Sequence, residues 1–209
     1  MAALKQEILT FYNQQAELYG ADELPRLGWS SWQAQQTRFA ALMDVGPLEG
    51  KSILDVGCGV GDLYEYLTRQ GLSISYTGYD LVARNCQDGA RRHPAATFLT
   101  TDVLETTEAE AFDYVLASGI FTFTGDDWHD TVGSTLRRMF ELCHVGFAAN
   151  FLSAYSPGRI DKLFYADPAE VVGMCQQLTN VFKLRHDYME NDFTVFGYRR
   201  RADEGNGGT

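Results

Sequence analysis

Ile53-Leu54-Asp55-Val56-Gly57-Cys58-Gly59-Val60-Gly61-Asp62-Leu63 begins as an apolar strand, passes through three alternating glycines and ends as the first turn of a helix. Glycine at such a turn lets the main chain approach a ligand closely, and the helix behind it presents unpaired N–H groups toward that ligand. Dinucleotide-binding proteins use a related device. Their fingerprint, however, places Gly or Ala at its sixth position so that helix and strand can pack. Counted from Gly57, the sixth position is Asp62. A carboxylate is repelled by a pyrophosphate but not by a cationic ligand, so the turn reads against a nicotinamide or flavin enzyme.

Outward from this turn, short apolar runs alternate with helical segments from Lys51 onward, the pattern of a parallel sheet built from βαβ units. Strands are expected at 52–56, 74–79, 97–100, 112–117 and 145–152, with helices at 61–70, 82–92 and 127–143, the last capped by Asp126. Past residue 152 the rhythm breaks. Asp167-Pro168-Ala169-Glu170 combines an N-cap acid, Pro at the first helical position and Glu three residues after the cap, which starts a helix running to about Thr179. Segments 181–188 and 193–200 flank the polar Glu190-Asn191-Asp192 and read as an antiparallel hairpin.

Upstream, Leu4, Ile8, Phe11, Gln15 and Leu18 recur at the three- and four-residue steps of an amphipathic helix. A Gly- and Pro-bearing break at 20–28 precedes a second helix over 30–43, and Pro47 and Gly50 close this region. The expected organisation is a helical cap over 1–50, an α/β ligand-binding domain over 51–200 and a disordered tail over 201–209, which lacks apolar residues. A formal charge of -11 repels a phosphate backbone over most of the surface, which excludes nucleic acid as the expected partner. Acids and amides interrupt every apolar stretch of the N-terminus, so neither a signal peptide nor a membrane span is expected, and a cytoplasmic location is. Cys58, Cys86, Cys143 and Cys175 have no CxxC spacing, against both a disulfide framework and a metal site.

The segment from Asp55 to Gly61 resembles motif I, Asp-x-Gly-x-Gly-x-Gly, of the class I S-adenosylmethionine-dependent methyltransferases. The resemblance covers about residues 51 to 152 and implies a Rossmann-like, doubly wound, mostly parallel seven-stranded sheet with a C-terminal hairpin. It implies S-adenosylmethionine as cofactor and S-adenosylhomocysteine as product. Asp55, Gly57, Gly59 and Gly61 then surround the methionine part. Asp80, with Leu81 beside it, ends the second strand where the family holds the ribose, and a carboxylate there can accept from both hydroxyls. Asp102 and Val103 are similar to the adenine-binding segment. Ser118 and Gly119 end the fourth strand, where small residues leave space for a transferring methyl group. The chain also resembles a bacterial subset with a Gly-Trp and Gln-x-x-Arg-Phe segment, here Gly28-Trp29 and Gln35 to Phe39.

Gln35 and Arg38 share a helix face at i and i+3, so Arg38 either receives the methionine carboxylate or pairs with an acid of the chain. Trp29, Phe121, Asn150 and Tyr165 are candidates for the acceptor site, Asn150 foremost because it ends the fifth strand and ligands gather at the carboxyl ends of open α/β sheets. His186 is the first candidate for a general base, because an imidazole can take up a proton near neutral pH. Adjacency does not pair it with Asp187, since neighbours on a strand face opposite ways. The function read from these residues is methyl transfer to a small-molecule acceptor. The alternatives are a catalytically silent cofactor-binding module and a protein-directed methyltransferase.

Overall fold

In a computed structural model, which describes residues 2–19, 31–107, 109, 111–123, 127–161 and 163–200, the chain forms a seven-stranded sheet flanked by helices. Trp29, Asp126 and the 201–209 tail lie outside the described residues. The elements in chain order are α1 (Ala2–Tyr19), α2 (Trp32–Leu42), β1 (Ser52–Val56), α3 (Asp62–Arg69), β2 (Ser75–Asp80), α4 (Ala83–Arg92), β3 (Thr97–Thr100), β4 (Phe112–Ala117), α5 (Trp128–Leu142), β5 (Cys143–Leu152), α6 (Pro168–Gln176), β6 (Phe182–Met189) and β7 (Asp192–Tyr198). The sheet order is β3-β2-β1-β4-β5-β7-β6. From β3 to β5 every pairing is parallel, whereas β7 runs antiparallel to both β5 and β6. This is the doubly wound, mostly parallel sheet with a closing hairpin that the sequence pattern implies.

Alternation along the strands sorts the core into two layers. Leu54 and Val56 of β1 join Val115, Phe147, Phe193 and Val195 beneath α5 and α6. Ile53 points the other way and joins Leu63, Leu67, Tyr76, Leu116 and Phe196 beneath α2 and α3. The expected cap region therefore supplies one layer of the core: Phe39 and Leu42 of α2 are buried in it, and α2 lies against β5, β6 and β7. Ser31 sets the start of α2 by accepting from Ala34 N at 3.1 Å.

Local signals account for most boundaries. Asp167 accepts from Ala169 N at 2.8 Å and Pro168 takes the first turn of α6, as the capping pattern requires. α5 begins at Trp128, and its N-cap Asp127 makes no side-chain cap bond. β5 begins at Cys143 rather than 145, because that residue leaves α5 in an extended conformation (φ -94°, ψ 141°) with no intervening loop.

Gly197 of β7 stands opposite Phe147 of β5, and a Cβ there would overlap the Phe147 ring. The ring covers the gap left by the missing side chain. Gly197→Ala is expected to destabilise the protein by about 1–3 kcal/mol, the range for overpacking a filled core. Urea unfolding followed by circular dichroism measures this, and an unchanged midpoint would show that the ring moves aside at no cost.

Candidate functional site

β1 ends in a turn whose glycines all adopt positive φ: 76° at Gly57, 56° at Gly59 and 89° at Gly61. L side chains rarely take this conformation. A Cβ at Gly57 would overlap Ile120 of the loop after β4, and one at Gly61 would lie 2.7 Å from Phe98 Cζ. The main chain of the turn is tied to β2, with the N–H groups of Gly57 and Cys58 donating to the Tyr79 carbonyl at 2.7 and 3.0 Å. Asp80, half-buried at the end of β2, accepts from Gly59 N through Oδ2 and from Val82 N through Oδ1, both at 2.8 Å. Half-buried Leu81 follows it. α3 opens at Gly61, which has no side chain to cap the helix.

Beneath the turn, Asp55 is buried at 3% exposure and accepts from the Tyr76 hydroxyl at 2.6 Å. Asp62 is turned aside: its carboxylate accepts from Gln35 Nε2 at 2.9 Å and faces Arg92 on α4, stapling α2, α3 and α4 together. Burial raises its carboxyl, against the pull of Gln35 and Arg92.

At the end of β3, Asp102 caps a short 3-10 turn by accepting from Leu104 N at 3.0 Å, and Val103 is buried behind it. The outer oxygen of Asp102 meets Lys5 Nζ of α1 at 2.9 Å. Farther along α1, Phe11 and Tyr12 pack edge-on against Phe123, with ring centroids 5.3 and 5.8 Å apart. α1 therefore crosses the carboxyl ends of the strands, from the end of β3 to the loop after β4.

On the other side of β1, Ser118 Oγ donates to Asn150 Oδ1 at 2.9 Å, and Asn150 Nδ2 donates to the Arg38 carbonyl at 3.3 Å. The Asn150 amide thus ties β4, β5 and α2 together with both of its polar atoms. Arg38 turns to the far strand, where its Nε and Nη2 grip the Asp192 carboxylate at 2.5 and 2.7 Å. Of the two roles read for Arg38, the geometry displays the pairing with an acid. Gln35, on the same helix face, reaches Asp62 in the first turn of α3, directly behind the glycine turn. Burial pushes the Asp192 carboxyl up, while Arg38 pulls it down.

Phe121 opens a column of nearly parallel rings: it stacks on Phe151 at 4.5 Å, Phe151 on Phe193 at 5.2 Å, and Phe193 on His186 at 6.1 Å. His186 Nε2 meets the fully buried Ser153 hydroxyl at 2.7 Å. Its other neighbours, including Tyr155 and Tyr188, line a surface cavity of about 560 Å³. β6 lies three strand positions from β4, about 14 Å at the usual interstrand spacing. Asp187 pairs with Arg185 at 2.6 Å rather than with His186. Tyr165 accepts from Ile160 N at 2.9 Å, so its hydroxyl shapes the segment between β5 and α6. That segment is pinned over the site where Phe164 N donates to the Thr122 carbonyl at 2.8 Å and its ring stacks on Trp128 at 4.0 Å.

Sequence reading did not single out Lys5, Tyr12 or Asp192; it placed Ser153 beside Asn150 among the acceptor-site groups, without its partner His186. Each acts through a partner far away in the chain, and no local spacing announces it. Among the described residues no group of His, Cys, Asp and Glu is arranged to hold a metal ion, and no helix is long and apolar enough to cross a membrane.

A model of the methyltransferase domain family matches residues 53–142. The putative methyltransferase Rv1506c of Mycobacterium tuberculosis is 32% identical over 151 residues, spanning 69% of this chain and 90% of the relative. A ubiquinone biosynthesis O-methyltransferase of Methylocella silvestris is 46% identical over 77 residues, covering 34% of this chain and 29% of its own. Among solved structures, the magnesium protoporphyrin IX methyltransferase of Synechocystis PCC 6803 with bound SAM superposes with a TM-score of 0.68 at 16% identity, over 94% of this chain and 97% of that one. The 1,6-didemethyltoxoflavin-N1-methyltransferase of Burkholderia thailandensis does so with a TM-score of 0.63 at 17% identity, over 96% and 89%. At such identities the likeness concerns the fold.

Burial raises the Asp55 carboxyl from 3.8 to about 7, with the Tyr76 hydrogen bond opposing and the charges of Asp80 and Asp62 adding to the rise. Between those two values the folded protein holds a proton that the unfolded chain has lost. The contribution to stability is therefore fully present below about pH 4 and is lost as pH rises through about 7, by at most about 4 kcal/mol. Asp55→Asn keeps an acceptor for Tyr76 and has no charge to bury. Its urea midpoint, relative to that of the parent protein, is expected to rise between pH 5 and 8. A difference that does not vary with pH would show that Asp55 is ionised throughout.

Proposed function

Because the chain belongs to the class I S-adenosylmethionine-dependent methyltransferases, we propose that it transfers a methyl group to a small-molecule acceptor by in-line displacement, in the crevice above the carboxyl ends of β1, β4 and β5. The observation that carries this reading is the row of groups at one sheet edge: a positive-φ glycine turn after β1, Asp80 after β2 and Asp102 after β3. The cofactor's chemistry fits that row. The turn has no side chains at its three glycines, the carboxylate of Asp80 is fixed by two main-chain N–H groups, and an acid with a buried apolar neighbour, Asp102 and Val103, stands at the far end.

In this reading the main chain of 57–61 takes the methionine end, Asp80 and Leu81 the ribose, and Asp102 and Val103 the adenine ring, while Ser118 borders the space between cofactor and acceptor. Asp55 supports the turn from below, and Arg38 braces α2 against β7 through Asp192. When bound, S-adenosylmethionine supplies an electrophilic methyl group on a sulfonium sulfur and leaves as S-adenosylhomocysteine. The chain's own part is to hold the acceptor in line and keep water out, with α1 and the segment between β5 and α6 as covers. Phe121, at 7% exposure, supplies an apolar wall on the acceptor side, and Asn150 holds Ser118 in place behind it.

Two observations support a small acceptor. The formal net charge of -11 disfavours polyanions. Relatives that share part of the chain are named for ubiquinone biosynthesis and for trans-aconitate. His186 is the candidate to take a proton. Its ring nitrogen is on Ser153 and its strand is three positions from β4, so positioning, rather than direct proton abstraction, is assigned the larger share of catalysis.

Calorimetry is expected to register S-adenosylhomocysteine and not NAD; the reverse result removes the reading. Asp80→Ala should weaken the cofactor by about 10- to 150-fold, the equivalent of about 1.5–3 kcal/mol for hydrogen bonds involving a charged group. Gly59→Val, which forces a branched side chain onto a φ of 56°, should abolish binding. Single-turnover transfer from labelled cofactor to a metabolite pool separates catalysis from binding alone, and to this pool His186→Ala should transfer less than about tenfold more slowly. A loss above about a hundredfold, with the acidic limb of the pH–rate profile gone, would make His186 the base.

A further inference from the structure

α1 lies across the crevice mouth, and its charged end meets the carboxylate of Asp102, which the cofactor reading sets at the adenine ring. Lys5 Nζ stands 2.9 Å from Asp102 Oδ2 and 2.6 Å from Glu105 Oε1. These two acids hold the ammonium and raise its pKa, Glu105 contributing most. Two turns along, Phe11 and Tyr12 close on Phe123. The Tyr12 phenol is pushed up by burial first and by the charge of Asp80 second. The aromatic end is the anchored end of α1 at the crevice. The Lys5 end is the lighter attachment, an ion pair whose lysine side chain is 33% exposed.

An ammonium and the exocyclic amine of adenine are both donors toward a carboxylate, and the ammonium's bond is the doubly charged, stronger one. Lys5 therefore keeps Asp102 occupied until it is displaced, and Glu105, 70% exposed, is a second acceptor for it outside the crevice. We propose that Lys5 competes with the adenine end of the cofactor for the Asp102 carboxylate, and that α1 is a gate which turns about its Phe11–Tyr12–Phe123 contact to admit the cofactor. Lys5 gives up Asp102 and keeps Glu105 as the gate opens. This rests on the cofactor reading above. It implies that part of the cofactor's intrinsic affinity is lost to the closed population, because a ligand that binds one of two conformations is weakened by the fraction in the other.

S-Adenosylhomocysteine, which carries no net charge, is the probe, with association followed by stopped flow and affinity by calorimetry. Lys5→Gln is expected to bind it about 2- to 5-fold more tightly, with faster association, in keeping with the worth of an exposed ion pair. Added salt should speed association to the parent protein by screening that pair and leave Lys5→Gln unaffected. Lys5→Arg, which keeps the charge, should behave as the parent does. Weaker binding in Lys5→Gln with faster dissociation would overturn the proposal, making Lys5 a clamp on the loaded site; equal affinity and rates would overturn it as well. Asp102→Ala tests the footing separately. Weakened binding there upholds the adenine assignment whatever Lys5→Gln does, and unchanged binding removes that assignment and the gate with it.

Discussion

The N–H of Gly59 rests on the Asp80 carboxylate at 2.8 Å, and the N–H groups of Gly57 and Cys58 share the Tyr79 carbonyl at 2.7 and 3.0 Å. These bonds join the end of β1 to the end of β2, so the glycine turn and the acid that faces it are set in place together. The parallel register from Ser52 and Ser75 to Val56 and Tyr79 delivers both strand ends level with each other. Gly78 belongs to the same arrangement, because a Cβ there would lie 2.6 Å from Cys58 Sγ. A side chain at Gly78 would push Cys58 away, and with it the main chain that Asp80 holds. The crevice edge is thus specified by two strands at once, and neither carries it alone.

Below and beside that edge, three carboxyls are buried among the described residues, each with its own partner. Asp55 has the Tyr76 hydroxyl, Asp62 has Gln35 and Arg92, and Asp192 has the Arg38 fork. Burial raises all three. A buried charge left without its partner is strongly destabilising, so α2, which supplies Gln35 and Arg38, is required by the sheet electrostatically as well as by packing. One face of one short helix serves the glycine turn and the distant hairpin together.

That dual service marks the limit of what was legible in the chain. The strand–turn–helix at 53–63, the cap at Asp167 and the hairpin around 190–192 were readable because their causes are local: glycine conformations, a capping carboxylate and alternating apolar residues. The shared face of Gln35 and Arg38 was readable for the same reason. Their partners were not, because Asp62 and Asp192 stand 27 and 154 positions away and come together only through the sheet order. The same holds for Lys5 with Asp102 and for His186 with Ser153. The positions proposed for the cofactor from the strand ends do collect along one edge. Asn150 also lies there, yet its amide is taken up by Ser118 and the Arg38 carbonyl, which no local pattern foretells.

The reversal of β7 has a consequence for how such a chain diverges. Because β7 runs against β5 and β6, the turn at 190–191 falls at the same edge as the segment between β5 and α6 and the loop after β4. The other half of the edge, from β3 to β1, holds the glycine turn, Asp80 and Asp102. Insertions and substitutions in the first group of connections replace none of the donors or acceptors in the hydrogen bonds from Gly57, Cys58 and Gly59 to β2. Descendants of one gene can accordingly exchange one half of the mouth while inheriting the other intact, and the boundary between the inherited and the exchangeable half runs between β1 and β4.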